Sequence, residues 1–325
     1  MRIGIIGAGA MGCAVGGHLA AAGEDVVLLE IDPAILEAIE DRGVIVERPD
    51  GPAIRESIPI VDAAGAGTVD PVDVAFVFTK SFDTARAIED AKPMLGADAT
   101  VATVQNGLAN YEVLLEAIGR DRVLGGYTHV GSNTIAPGHV EYMGEQPTVL
   151  GGPDRDRAEA VAATLEAAGL PTEPVADPLP HIWTKQLWNV ARKPLSALTE
   201  LRNGPQVEYP ETRHVASRLI AEAVAVAEAQ GVEILPEDPI DDFVNADPGD
   251  HYDKKSSILE DVEAGRRTEI DAIAGPIVRA ADEHGIAVPY NRMALALTRG
   301  KERGYLDAPL EVPDPAAFPV ETASD

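Results

Sequence analysis

The chain has 325 residues, enough for about two domains, and 45% hydrophobic residues supply a real core for each. Its 54 acidic residues outnumber 26 basic ones for a formal net charge of -28, spread along the length instead of gathered in a tail. That balance argues against nucleic acid and anionic membrane as partners and suits a solvating surface in a salt-rich cytoplasm, where the Debye length falls to about 3 Å at 1 M salt.

The single cysteine, Cys13, excludes an intrachain disulfide and fits a reducing interior. It is either a small packed residue or a thiol whose pKa a helix N-terminus lowers. The opening apolar run is too short for a leader, lacks a cleavage site, and reads as a strand. No segment approaches the length of a membrane span. Lysine occurs only as Lys80, Lys92, Lys185, Lys193, Lys254, Lys255 and Lys301, so each is a candidate for a task.

In chain order, the β-branched run from Arg2 to Ile6 suits a buried parallel strand. It feeds Gly7-Ala8-Gly9-Ala10-Met11-Gly12, which satisfies G-x-G-x-x-G. Gly7 permits the tight turn, Gly9 a close backbone approach to a pyrophosphate, and Gly12 the packing of the next helix on the sheet. The helix then points its unpaired N–H groups at the phosphates. A Gly-rich turn alone can be purely structural. Here an Ala-rich helix (10–22), a stop at Gly23 and a second strand (26–29) follow, ending in Glu30 and Asp32 about 20 residues past the glycines. That context favours a bound dinucleotide over a nucleotide-free βαβ unit.

A helix at 34–41 precedes short strands at 43–47 and 58–61 around a turn at 49–51, then a buried strand at 72–79. A helix at 83–93, a strand at 100–104, a helix to residue 118 and a strand at 123–128 continue the alternation. The pattern predicts a mostly parallel, doubly wound sheet with ligands beyond the carboxyl ends of its strands, where Lys80 and Asn106 fall. Residues 139–142 and 148–150 read as a closing hairpin or antiparallel pair, and 155–168 as a helix. Prolines 171, 174, 178 and 180 mark a boundary. Helices near 181–198, 212–230, 252–285 and 290–304 follow. The expected division is 1–175 for the sheet domain, 176–310 for an all-helical domain and 311–325 for a loosely ordered tail.

Lys185, Asn189 and Lys193 recur at i, i+4, i+8 and form one helical stripe, opposite Trp183, Leu187, Val190, Pro194 and Leu198. By itself the stripe reads more readily as a solvated face. A second stretch, Lys254-Lys255-Ser256-Ser257-Ile258-Leu259-Glu260-Asp261, followed by Thr268-Glu269-Ile270-Asp271, changes that weighing.

Taken together, GAGAMG at 7–12, TK at 79–80, QNG at 105–107, W-x-K-x-x-x-N at 183–189, PLSAL at 194–198, NG at 203–204, SSILED at 256–261 and TEID at 268–271 resemble the ketopantoate reductase (2-dehydropantoate 2-reductase) family. The resemblance implies an α/β Rossmann-type doubly wound sheet followed by an all-α C-terminal domain. It also implies NAD(P)H-dependent reduction of ketopantoate to (R)-pantoate in pantothenate and coenzyme A biosynthesis. Lys185 falls where the family has its general acid, and Glu269 where an acid helps fix the bound groups. Asn106 matches a contact to both nicotinamide and substrate, Lys80 a cofactor contact and Gly131 a backbone cofactor contact. Asn189, Asn203 and Ser257 match substrate positions, with Ser256 beside them. Lys193 replaces a family asparagine, and an ammonium cannot accept a hydrogen bond as an amide can. Lys254 and Lys255 either hold a carboxylate or face solvent.

Reducing a ketone requires a cation with a transferable proton where negative charge grows on oxygen, and lysine serves both needs. Glu269 is expected to keep Lys185 protonated against burial. Glu30 and Asp32 would bond the ribose hydroxyls of NADH and repel an added 2′-phosphate, which favours NADH, although the family commonly uses NADPH. Two alternatives stay open: a reductase of another branched 2-keto acid, and a non-catalytic dinucleotide-binding redox sensor. The seven histidines show no metal-ligand spacing. The long helices of the second half offer an interface for a homodimer.

Overall fold

In the computed structural model, residues 1–306 are described, apart from 145, 248, 250 and 251. The expected loose tail, 311–325, lies outside them. The elements run β1 (Arg2–Ile6), α1 (Ala10–Ala21), β2 (Asp25–Leu29), α2 (Pro33–Arg42), β3 (Val44–Glu47), β4 (Ile54–Glu56), β5 (Ile60–Val61), β6 (Val72–Val77), α3 (Thr84–Ala91), β7 (Leu95–Thr103), α4 (Leu108–Ile118), β8 (Val123–Tyr127), β9 (Gly131–Ala136), β10 (His139–Met143), β11 (Thr148–Gly151), α5 (Arg155–Ala167) and β12 (Thr172–Val175). Helices follow: α6 (Leu179–Thr199), α7 (Asn203–Glu208), α8 (Pro210–Ala229), α9 (Pro239–Val244), α10 (Ser257–Glu263), α11 (Ile270–His284) and α12 (Pro289–Tyr305).

The main sheet has the order β12-β11-β8-β7-β6-β1-β2-β5 and is parallel except where β11 runs against β8. This is a Rossmann-type doubly wound sheet followed by an all-helical C-terminal part. From β1 the chain moves outward through β2 and β5, then returns to β6 on the other side. The crevice at such a switch point lies beyond the strands' carboxyl ends, and Gly7 and Lys80 are placed there.

The small residues of α1 have a direct cause. The helix is sandwiched between the main sheet and a second sheet of order β4-β3-β10-β9. A Cβ on Gly16 would lie 3.2 Å from Leu28, and one on Gly17 2.7 Å from Val46, so neither side has room for bulk. On the other face of the main sheet, the apolar core of Val77, Val101 and Leu114 continues into the helical half through Trp183, Leu187 and Ile273. The QNG turn seals that joint. Gly107 has φ +93°, and a Cβ there would stand 2.5 Å from the Ala272 carbonyl of α11.

Several local expectations are corrected. Residues 139–142 and 148–150 are not a hairpin: β10 pairs with β3 and β9, whereas β11 joins the main sheet beside β8. Val44–Glu47 pairs with Ile54–Glu56, and Ile60–Val61 extends the main sheet beside β2. The stretch read as one helix over 252–285 is two, because Gly265 at φ +63° turns the chain after α10. That break places Glu269 at the N-cap of α11. Helices α7 and α9 were not anticipated.

Candidate active site

A cleft of about 1160 Å³ opens at the switch point, lined on the sheet side by Gly7, Gly9, Ala10, Met11, Glu30, Lys80 and Asn106. Its opposite wall comes from α10 and the turn after it, through Ser257, Asp261, Arg266 and Glu269. At the glycine turn, Gly7 N–H donates to the Leu29 carbonyl at 2.8 Å, and Gly7 has φ +93°, which a side chain would strain. A Cβ on Gly12 would stand 1.9 Å from the Gly7 carbonyl oxygen, so only glycine lets α1 start so tightly. A Cβ on Gly9 would meet nothing within 4 Å, leaving open space above an uncapped helix N-terminus. These features fit a dinucleotide's pyrophosphate. Ser132, from β9, donates to the Ala10 carbonyl at 3.0 Å and ties the small sheet to the same turn.

Glu30 ends β2, is 9% exposed and lines the cleft. Its carboxylate accepts from the backbone N–H groups of Ala8 (2.8 Å), Ile31 (2.7 Å) and Asp32 (3.1 Å). Asp32 has another duty, accepting from Ala34 N–H at 2.9 Å as the N-cap of α2, and it does not line the cleft. Asp32, expected as a ribose partner, thus serves as an N-cap, which satisfies one of the helix's orphan donors.

Across the cleft, Lys80 Nζ lies 2.7 Å from the buried Asp261 carboxylate and 3.9 Å from Glu269. Glu269 also accepts from Ser81 N–H at 2.9 Å, which fastens the helical half to the end of β6. Asp261 pairs a second time with Arg266 at 3.0 Å. Neither Asp261 nor Arg266 was singled out from the sequence as a binding residue. The acid at Asp261 was legible as the last letter of SSILED.

On α6, Lys185, Asn189 and Lys193 do not form a solvated face. Asn189 is 6% and Lys193 8% exposed, and Asn189 Nδ2 has no hydrogen-bond partner among the described residues. Lys185 is half-buried, with Nζ 3.0 Å from His129 Nδ1. Burial, then the charges of Lys193 and Arg192, pull its pKa down to about 8. Arg192 is held over Trp188, with 4.7 Å from guanidinium carbon to ring centroid. Burial also lowers Lys193, partly offset by Glu269 and Asp261. Glu269 thus acts on Lys193, and it is not among the charges acting on Lys185. The expected Lys185–Glu269 partnership is not among the contacts of either residue: Lys185 meets His129, while Glu269 bonds Ser81 N–H and lies 3.9 Å from Lys80.

Other candidates are dispersed. Asn106 lines the cleft, and its carbonyl accepts from Asn110 Nδ2 at 2.7 Å. Gly131 of β9 pairs with Met143 of β10, and its neighbours Val130 and Ser132 line the cleft in its place. Ser256, expected as a substrate contact, is the N-cap of α10 and is bonded to Ser196 Oγ at 2.8 Å, whereas Ser257 lines the cleft. Asn203 N–H donates to the Lys254 carbonyl at 3.2 Å, and both residues lie away from the cleft lining. Lys254 is exposed, and Lys255 lines the cleft while paired with Glu263 at 2.5 Å. Cys13 is buried, donates to the Ala8 carbonyl at 3.0 Å, and burial pushes its thiol up to about 12, so it is a packed residue.

Family models described as "Ketopantoate reductase PanE/ApbA" and its C-terminal counterpart match residues 3–155 and 178–302. The 2-dehydropantoate 2-reductase of Halobacterium salinarum is 34% identical over 93% of this chain and 99% of its own length. The chain belongs to the ketopantoate reductase family.

Among other ketopantoate reductases, that of Archaeoglobus fulgidus is 33% identical over 93% of this chain and 98% of its own. The crystal structure of a PanE/ApbA family ketopantoate reductase from Ralstonia eutropha superposes with a TM-score of 0.85 at 32% identity, covering 94% of this chain and 99% of that one. D-mandelate dehydrogenase, solved with NADH and anilino(oxo)acetate, shares the fold at a TM-score of 0.87 and 23% identity, with 94% and 99% covered. Among the described residues, no helix of this ketopantoate reductase family member is long and apolar enough to cross a membrane.

Proposed function

We propose that the chain reduces 2-dehydropantoate to (R)-pantoate with a reduced nicotinamide dinucleotide, Lys185 giving the proton, as a step toward pantothenate and coenzyme A. The observation that carries this reading is the Lys185 ammonium, with its pKa pulled down to about 8, bonded to a segment whose neighbours Thr128 and Val130 line the glycine-walled cleft. A proton donor works best with a pKa near the working pH. The full-length match to proteins named 2-dehydropantoate 2-reductase supports the substrate.

The dinucleotide supplies the hydride when bound. Gly7, Gly9 and the N-terminus of α1 would hold its pyrophosphate, and Glu30 its adenosine ribose. Lys185 meets the negative charge that grows on the keto oxygen and then protonates it. Asn189 Nδ2 is a buried donor with no hydrogen-bond partner among the described residues, and the buried Lys193 ammonium stands one helical turn beyond it. Such groups favour a ligand rich in oxygen acceptors, and a 2-keto acid carries both a carbonyl and a carboxylate. Lys80 and Glu269 brace the two halves around it, and Asn106 stands at the end of β7 beside the cleft.

Glu30 favours NADH over NADPH, because a 2′-phosphate on the ribose would face its carboxylate. Lys193, in place of a family asparagine, keeps another branched 2-keto acid as a second reading. Oxidation of NADH and NADPH, followed at molar potassium chloride with ketopantoate and with a panel of branched 2-keto acids, tests both. Ketopantoate-dependent oxidation is expected, faster with NADH. Turnover of another keto acid alone would move the substrate, and binding without turnover of any would favour the redox-sensor reading.

A further inference from the structure

The Lys185 ammonium is hydrogen-bonded across the joint between the two halves of the chain, to His129 Nδ1 at 3.0 Å. His129 follows β8 directly, and its ring lies edge-on to Tyr127 with centroids 5.1 Å apart. The segment is pinned on its other side too: Thr128 Oγ1 accepts from Val130 N–H at 3.0 Å and from Thr148 Oγ1 at 2.9 Å. An ammonium has three donors and no acceptor, so Nδ1 accepts and the ring proton rests on Nε2.

Resting on the reading of Lys185 as proton donor, we infer that His129 is its positioning residue: it accepts one of the three ammonium N–H bonds, fixes the rotamer, and leaves the other two for the substrate. A lysine stem has four rotatable carbons, and an unanchored ammonium would sample orientations that miss the keto oxygen. A neutral acceptor also favours the charged form of lysine. Among the described residues, no carboxylate joins Lys193 and Arg192 as a charge acting on Lys185. The charges that act on it are Lys193 and Arg192 of α6, and from the β8 side it meets His129, whose ring packs on Tyr127. Asp261 of α10 and Glu269 of α11 act on Lys193. Glu222 of α8 is taken up by the N–H groups of Tyr290 and Asn291, and Glu302 of α12 by that of Thr268. His129 Nδ1 is the hydrogen-bond acceptor that the structure places on the Lys185 ammonium.

Asparagine and leucine share the same branched skeleton of side-chain heavy atoms and differ in a hydrogen-bond acceptor, so His129→Asn and His129→Leu isolate that bond, with His129→Ala in reserve should the leucine variant fail to fold. The acceptor-free variant is expected to lower kcat by about 10- to 100-fold, with KM for keto acid and dinucleotide little changed. Its activity should also begin to fall at a lower pH than in the parent. His129→Asn should recover most of kcat. Added to Lys185→Ala, loss of His129 should cost nothing further, since it acts only through that lysine. Parental kcat and pH profile in the acceptor-free variant, alongside an inactive Lys185→Ala, would overturn the role of His129 alone. An equal further loss in the Lys185→Ala background, or no recovery with asparagine, would do the same. A fully active Lys185→Ala would instead bring down the proton-donor reading and this inference with it.

Discussion

At the glycine turn the fit comes from atoms that are missing, whereas along α6 it comes from charged atoms held where water is scarce. Gly12 leaves room for the Gly7 carbonyl and Gly9 leaves open space, so backbone alone shapes that wall. Helix α6 instead stacks Lys185, Asn189 and Lys193 along one line, half-buried or buried, at an electrostatic cost that shows in the lowered pKa values of both lysines. A backbone wall recognises a shape common to many dinucleotides. A buried row of donors is specific to what it can neutralise, so on the proposed reading substrate choice would reside in the helical half.

Substitutions at the glycine turn and along α6 should therefore fail differently. The largest effect is expected for Lys185→Ala: turnover lower by about 10²- to 10⁴-fold with dinucleotide affinity nearly unchanged, measured by steady-state kinetics and direct titration of the cofactor. Next is Gly12→Ala, whose Cβ would collide with backbone. It should cost about 1–3 kcal/mol of stability in thermal or denaturant unfolding and weaken dinucleotide binding. Replacing Glu30 with Gln keeps the volume and removes the charge. The ratio of kcat/KM for NADPH to that for NADH should rise on the order of tenfold, and an unchanged ratio would remove Glu30 from cofactor choice.

A smaller effect sharpens the contrast from the α6 side. Lys193 lowers the Lys185 pKa by charge repulsion, so Lys193→Asn should let that pKa rise and carry activity to higher pH, a shift read from the basic limb of the kcat profile. The same variant should weaken binding of the keto acid. Least of all, Cys13 should resist a thiol reagent at neutral pH in the folded protein, because its thiol is pushed up to about 12 and buried.

The turn side was legible because its signals are local. The β1–glycine–α1–β2 run carries its own periodicity and spacing, and Lys80 and Asn106 follow from strand ends. The helical side was legible only in part. The i, i+4, i+8 stripe was visible, but whether it faced water or the cleft depends on neighbours distant in sequence. His129 meets Lys185 across 56 residues with no pattern joining them. Glu269 lay inside what reads as one helix, and the break after Gly265 that frees it to reach Ser81 was masked by the helical composition around it. Asp32 and Ser256 carried residue types suited to ligands, yet both cap helices, a role those types fill equally well. The small sheet was missed because β3 and β10 are short and pair across the whole sheet half.

The most direct measurement is the pH–rate profile of ketopantoate-dependent dinucleotide oxidation by the unmodified protein. Lys185 must begin protonated, so turnover should be level below neutrality and fall as pH rises through about 8, with the fall abolished in what residual activity Lys185→Ala retains. Turnover that stays level well above pH 8, or that falls in the same way without Lys185, would contradict its role as the proton donor.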